Sequence, residues 1–140
     1  MDSQHSSKGQ VNQAVVAFQD GRRLKGYVFN FSATRESFRL FPTENAPPES
    51  GIEVKMEELK AVFFVKDFAG HPEYKESSSQ SIPQHGHRIE VAFHDGETIS
   101  GVTEGYNKQK LGFFVFPADP QSNNIRIFII NKNLRTAKMY

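Results

Sequence analysis

One stretch of sequence occurs twice in this chain, and this repeat constrains the fold more than any other feature. Residues 16–42 read VAFQDGRRLKGYVFNFSATRESFRLFP, and residues 91–117 read VAFHDGETISGVTEGYNKQKLGFFVFP. A constant shift of 75 residues aligns the two stretches with nine identical positions, and it continues to pair Leu59 with Leu134. Self-similarity at a fixed period indicates one structural unit used twice.

Length and composition limit what such a unit can be. A chain of 140 residues is ordinarily one domain or two small ones, and the repeat favours two. With 13 Phe and no Cys or Trp, we expect cores built on phenylalanine. The lack of Cys excludes disulfides and thiolate chemistry, and together with a polar N-terminus it favours a cytoplasmic protein without a membrane partner.

Short apolar runs bounded by turn residues predict strands in both copies and no helix. Asp20-Gly21 and Asp95-Gly96 are pairs that tight hairpins prefer. Gly26 and Gly101 fall inside predicted strands, where a glycine usually marks a bend. The predicted strands cover residues 14–18, 24–31, 38–41, 52–56, 61–65, 89–93, 98–105, 112–116, 125–130 and 136–140.

We therefore expect an all-β protein made of two tandem five-stranded small barrels of the SH3-like or Sm-like type. The run at 61–65, AVFFV, is apolar without interruption and is predicted to be buried on both faces. Residues 57–60 are predicted to form a turn. The predicted division is a mobile tail at 1–13, a first barrel at 14–66, a linker at 67–87 and a second barrel at 88–140. The predicted core contains Phe18, Phe38, Val62, Phe93 and Phe113.

Two motifs resemble families of small barrels with known ligands. The spacing Val16-x-Phe18-x-Asp20-Gly21 resembles the first motif of the Sm-like RNA-binding proteins, and this resemblance implies a barrel that binds RNA. Asn30-Phe31-Ser32 resembles the start of a motif of PilZ domains, which bind cyclic di-GMP, although Arg35 occupies that motif's glycine position.

A third resemblance extends over nearly the whole chain. The segments Leu59–Val65, Asp67-Phe68, Gly112–Phe114 and Pro117–Asp119 are similar to those of an uncharacterised bacterial family of tandem small barrels. This resemblance implies a bacterial protein with a tandem-barrel fold and carries no activity with it.

Two groups of polar residues are candidate ligand-binding sites. Arginine side chains grip phosphate and aromatic faces stack on bases, so the basic residues of the first copy favour an anionic or nucleotide ligand. A polar loop and a nearby arginine in the second copy provide a second candidate. The alternative interpretation of both is a solvated hairpin and an ordinary turn. These candidates are Arg22, Arg23, Arg35 and Arg39 in the first copy, and Asp119, Asn123, Asn124 and Arg126 in the second.

Histidines are the only residues that suggest a metal site, and no motif suggests an enzyme. His85-x-His87, with His71 and His94 near in sequence, has the residue type that zinc prefers, but it lies in a polar Ser- and Gly-rich segment. We therefore expect no metal, no cofactor and no catalytic site.

The sequence favours a non-enzymatic bacterial interaction or adaptor module that binds a protein partner. A formal net charge of +1 lacks the positive field that nucleic-acid binding normally requires. The alternative is binding of RNA or of a nucleotide such as cyclic di-GMP on the basic surface of the first barrel.

Overall fold

The computed structural model describes residues 11–69, here the first half, and 86–140, the second half. Within these ranges the chain forms ten strands and three short 3-10 turns. The strands are β1 (Val11–Phe18), β2 (Arg23–Phe29), β3 (Ser37–Leu40), β4 (Ile52–Lys55), β5 (Leu59–Val65), β6 (His87–Phe93), β7 (Thr98–Thr103), β8 (Gly112–Pro117), β9 (Asn124–Ile130) and β10 (Leu134–Met139). The prediction of an all-β protein is confirmed.

Eight of the strands form one antiparallel sheet in the order β10-β6-β7-β8-β9-β5-β1-β2. The other two, β3 and β4, form a hairpin that is joined to β2 through a bridge between Tyr27 and Phe41. In the described residues the large sheet is not closed into a barrel, so the structure does not show the two separate barrels expected at 14–66 and 88–140. The physical reason is that β5 of the first half pairs with β9 of the second.

The pairing of β5 with β9 joins the two halves through residues that are apolar and buried on both faces, namely residues 61–65 of β5 and 127–130 of β9. All seven residues of β5 are buried, as the sequence predicts for AVFFV. Val62 and Phe64 point into one core cluster, which also contains Phe128 of β9. Phe63 points into the other cluster, which also contains Ile127 of β9. Each core is therefore completed by a strand from the other half.

The two halves pair their strands in the same register. Ala14 pairs with Gly26 in the first half, and Ile89 pairs with Gly101 in the second. The register also shifts at equivalent places, because Lys60 of β5 and Arg135 of β10 are each passed over in the pairing. As a result Phe18 pairs with Leu59 as Phe93 pairs with Leu134. In each comparison, the residue numbers in the second half exceed those in the first by 75, the shift that aligns the two stretches of sequence.

Several predicted boundaries are wrong by a few residues. β1 begins at Val11, so the predicted tail at 1–13 includes three strand residues. The predicted turn at 57–60 is a 3-10 turn at Met56–Glu58, after which β5 begins at Leu59. β6 begins at His87, inside the predicted linker. The rest of the predicted tail, 1–10, and residues 70–85 of the linker lie outside the described residues.

The predicted core is confirmed, and the two strand glycines have a clear steric role. Phe18, Phe38, Val62, Phe93 and Phe113 are all buried. Gly26 and Gly101 do not have the positive φ that usually calls for glycine. Instead, the neighbouring strand passes so close that an added Cβ at Gly26 would lie 2.7 Å from the carbonyl oxygen of Phe41, and one at Gly101 would meet that of Phe116.

A methyl group at either glycine should therefore destabilise the fold. We expect Gly26→Ala and Gly101→Ala each to lower the free energy of unfolding by about 1–3 kcal/mol, because backbone atoms must move apart. Urea unfolding measures the change. Gly105→Ala is the matched control, since an added Cβ there meets nothing within 4 Å. Equal urea midpoints for Gly101→Ala and Gly105→Ala would contradict this explanation.

A buried cation also links the halves. Lys60 of β5 is 7% exposed, and its Nζ donates to Asp95 Oδ2 at 2.8 Å and to Glu97 Oε1. The same Nζ lies 4.7 Å from the ring centre of Phe93. Hydrogen bonds from Lys60, and then from the backbone N–H of Glu97, hold the pKa of Asp95 below its usual value of 3.8. The link therefore contributes to stability above that value, and its contribution is lost as pH falls through the lowered pKa.

Removing this cation should raise the pKa of Asp95. In Lys60→Met the apolar stem is kept and the charge is lost, so we expect the Asp95 pKa to move up towards its usual value and the loss of stability on acidification to become smaller. Carboxyl NMR titration measures the pKa. Lys66→Met is the control, because the Lys66 Nζ donates to the Pro120 carbonyl instead. An unchanged Asp95 pKa in Lys60→Met would show that the ion pair does not form.

Candidate functional site: two equivalent pockets

Each half carries a surface pocket, and the two pockets occupy equivalent positions. The first pocket has a volume of about 450 Å³ and the second of about 630 Å³. The first is lined by Phe29, Asn30, Ser32, Arg35, Ser37, Phe38, Arg39, Phe41 and Glu53. The second is lined by Glu104, Gly105, Asn107, Lys110, Gly112, Phe113, Phe114, Phe116 and Phe128, and also by Ala33, Thr34, Thr103, Tyr106 and Leu111. Adding 75 to each residue number of the first pocket gives a residue that lines the second.

Both pockets form where two neighbouring strands separate. β2 meets the β3 hairpin only at the Tyr27–Phe41 bridge, and β7 pairs with β8 at two positions, ending with Val102 and Phe116. Beyond these pairs, the loop between β2 and β3 and the loop between β7 and β8 diverge from the sheet, and each leaves a cleft. In the second half, the buried Thr103 hydroxyl donates a hydrogen bond to the Phe114 carbonyl at 2.8 Å. This bond gives the carbonyl oxygen the partner that strand pairing would otherwise supply.

The chemistry of the two pockets differs at a few positions. A cation is present in both, as Arg35 in the first and Lys110 in the second. Where the first pocket has Arg39, the second has Phe114. A second exchange replaces Glu53 by Phe128. A third exchange places Glu104 where the first pocket has Phe29, so both pockets keep charged side chains. The second pocket has phenylalanine in place of Arg39 and Glu53.

Aromatic rings in edge-to-face and tilted contact form the wall of the second pocket. The ring centre of Phe114 lies 5.0 Å from that of Phe128 and 6.5 Å from that of Phe116. Tyr106 packs edge-on against Phe113 at 4.8 Å. Phe114, Phe116 and Tyr106 are only partly buried, so part of each side chain is accessible to a ligand. Ala33 contributes to the wall from the first half, so the second pocket depends on both halves of the chain.

Arg126 stacks on the same aromatic wall. Its guanidinium carbon lies 4.5 Å from the ring centre of Phe114 and 4.7 Å from that of Phe64. The side chain is half-buried, and within residues 11–69 and 86–140 its guanidinium has no hydrogen-bond acceptor. Desolvation by burial lowers the pKa of Arg126 from its usual range.

The predicted basic group of the first copy is divided between two places. Arg35 and Arg39 line the first pocket together, and Arg39 also donates to the Gly51 carbonyl at 2.6 Å. Arg22 instead pairs with the adjacent Asp20 in the β1–β2 hairpin at 2.8 Å. Arg23 also lies outside the first pocket, where it contacts Glu97 and Phe63.

Arg23 points across the junction between the halves. Its guanidinium lies 3.7 Å from Glu97 Oε1 and 5.5 Å from the ring centre of Phe63. The structure therefore brings together two of the four predicted arginines of the first copy.

The predicted polar loop of the second copy uses its side chains to hold its own turn and to attach the loop to the end of the first half. Asp119 is buried, and its Oδ1 accepts the Gln121 N–H at 2.8 Å. Asn123 exchanges two hydrogen bonds with the backbone of Asp67. The Asn124 N–H donates to the Ser122 hydroxyl. These contacts favour the turn interpretation, and they leave Arg126 as the member of this group that faces an aromatic wall.

Sequence reasoning did not select the aromatic residues of the second pocket. The signal that identifies them is a break in the repeat, since Phe114 and Phe128 replace Arg39 and Glu53 at positions next to identical residues. Phe128 is buried, whereas Phe114 stays partly exposed, and a gained aromatic side chain that stays partly exposed indicates a change of binding surface.

Metal and membrane features were searched in the part of the chain that the structure describes. No three His, Asp, Glu or Cys side chains are grouped there to hold a metal ion. His71 and His85 of the possible metal site lie outside the described residues. The described residues also contain no helix with the length and apolar character needed to cross a bilayer.

The fold and its pockets define an all-β protein with one large antiparallel sheet and two related surface clefts. The chain belongs to a family of unknown function, DUF6982, whose sequence model matches residues 10–140. No curated protein and no solved structure matches the chain. Membership of this family agrees with the expected resemblance to an uncharacterised family, and it does not confirm the Sm-like or PilZ resemblances.

Proposed function

We propose that this protein is a non-enzymatic interaction module of the bacterial cytoplasm, which binds a segment of a partner protein in the second pocket. It is built from two equivalent five-stranded units of the SH3-like or Sm-like type. The equal registers of the two halves support this division into units. The pairing of β5 with β9 then fuses the units into one sheet.

The observation that carries the proposal is the partly exposed aromatic wall of the second pocket. Tyr106 packs on the buried Phe113 and Phe114 on the buried Phe128, Phe116 packs on Phe114, and all three side chains are partly exposed. Pre-ordered aromatic side chains are the residues that contribute most to protein interfaces. A volume of about 630 Å³ accommodates one or two large apolar side chains of an extended segment.

The polar groups of the second pocket support binding rather than catalysis. Thr103 donates to the Phe114 carbonyl, and the Asn107 side chain accepts the Gln109 N–H, so both have structural tasks. Catalytic acids and bases usually have displaced pKa values. The described carboxyl groups with a lowered pKa, Asp20 and Asp95, lie in hairpin turns, where neighbouring N–H groups and cations explain the displacement.

A second candidate function is nucleotide or RNA binding in the first pocket. Arg35 and Arg39 line this pocket beside Phe29 and Phe41, so that cations and rings for stacking occur together. Glu53 lies in the same lining and opposes a phosphate, which places this candidate second.

Titration followed by amide NMR tests the two candidates. Acetyl-Phe-Asp-Phe-amide serves as the peptide probe and cyclic di-GMP as the nucleotide probe. We expect the peptide to shift the amides of Tyr106 and Phe116, and Phe116→Ser to weaken binding at least about tenfold because an aromatic anchor is lost. Phe41→Ser, at the equivalent place in the first pocket, is the matched control and should leave peptide binding unchanged.

The nucleotide probe gives the opposite result if the second candidate is correct. Cyclic di-GMP would then shift the amides around Arg35 and Arg39, and the effect would disappear in the double variant Arg35→Ala/Arg39→Ala. That outcome, with no peptide shifts at Phe116, would overturn the proposed function in favour of nucleotide binding.

A further inference from the structure

Arg126 is a cation at the aromatic wall, and no residue in the described ranges supplies it with a counter-charge. Among the described residues its contacts are the two stacked rings of Phe64 and Phe114. Burying a charged group is unfavourable unless it is paired or hydrogen-bonded. The guanidinium carries five N–H donors, and stacking on ring faces leaves the donors at its edge open.

The position of Arg126 connects it to the second pocket. Arg126 and Phe128 are two residues apart on β9, so their side chains leave the same face of the strand about 7 Å apart. Phe128 lines the pocket, and the ring of Phe114 both lines the pocket and stacks on Arg126. A ligand that covers Phe114 therefore comes within reach of the guanidinium.

We infer that the second pocket recognises an acidic–aromatic segment of a partner protein, in which a carboxylate adjacent to an apolar side chain pairs with Arg126. The apolar side chain rests on Phe114 and Phe116, and the carboxylate accepts hydrogen bonds from the stacked guanidinium. This inference rests on the proposed function and adds the chemistry of the bound segment.

Charge complementarity is what selects a carboxylate. A planar guanidinium matches a carboxylate with two parallel hydrogen bonds, and low local polarity strengthens them. Burial that lowers the pKa of Arg126 is relieved when an anion arrives beside it. Lys110 and Glu104 both line the pocket and are both exposed, so water and salt screen them alike and their opposite charges offset each other. Arg126 is therefore the cation that selects the anion.

The inference applies to one pocket only. At the position equivalent to Arg126 the first half has Gly51, and in place of Phe114 it has Arg39. The first half therefore lacks the stacked pair of a guanidinium and a ring at this place. This difference supplies a matched control within the same chain.

The test compares an acidic and a neutral peptide on the full-length protein. Acetyl-Phe-Asp-Phe-amide and acetyl-Phe-Asn-Phe-amide differ by one charge and hardly in shape. Their dissociation constants are measured by NMR titration on the wild type, Arg126→Gln, Arg126→Lys and Arg39→Gln. The last variant removes the same charge from the first pocket, and urea unfolding checks that each variant is folded.

We expect the wild type to bind the acidic peptide at least about tenfold more tightly than the neutral one, which is typical of a charge-assisted hydrogen bond. Arg126→Gln should lose this preference while still binding the neutral peptide, and Arg126→Lys should keep part of it. Arg39→Gln should keep all of it.

The outcomes separate this inference from the proposed function. Equal affinity of the wild type for both peptides, or a preference that survives in Arg126→Gln, would overturn the inference and leave the binding module standing. If neither peptide shifts the amides of Tyr106 and Phe116, the proposed function and the inference both fail.

Discussion

The pairing of β5 with β9 is the interaction on which the rest of this structure depends. Residues 61–65 of β5 and 127–130 of β9 are apolar on both faces, so Phe64 packs in one core and Phe63 in the other. Burying such a side chain contributes roughly 1.5–3 kcal/mol, and a half of about 55 residues alone would bury only a small core. Sharing two strands gives each half a larger core and also forms the wall of the second pocket.

Comparison of equivalent positions explains why β4 and β10, the counterparts of β9 and β5, do not pair with each other as β9 and β5 do. At the positions of Phe128 and Phe63, the outer strands β4 and β10 have the exposed residues Glu53 and Lys138. Charged side chains on an edge strand oppose the addition of another strand. Phe128 also lines the second pocket. The replacement of Glu53 by Phe128 therefore both favours the pairing of β9 with β5 and adds an aromatic ring to that pocket.

The sequence predicts the local structure of this protein well and the relation between its halves poorly. Hairpins, apolar strands and the buried phenylalanines follow from patterns within about ten residues, and the 75-residue shift predicts the equal registers. The pairing of β5 with β9 could not be predicted. The apolar run at 61–65 indicates burial on both faces, but it does not indicate which strand pairs with it. Reasoning from local motifs selected Asp119, which holds a turn, and Asn123, which bonds the backbone of Asp67. It missed Phe114, because that ring packs on Phe128 and Phe31, which are distant in sequence.

The central claim is that the shared strands make the two halves a single cooperative unit. Urea unfolding followed by amide NMR tests this claim directly, using the buried Val28 in the first half and the buried Val102 in the second as reporters. The account predicts that both signals disappear with one midpoint and one slope, as expected of a two-state unit. Two separate midpoints, with one half still folded after the other has unfolded, would contradict it.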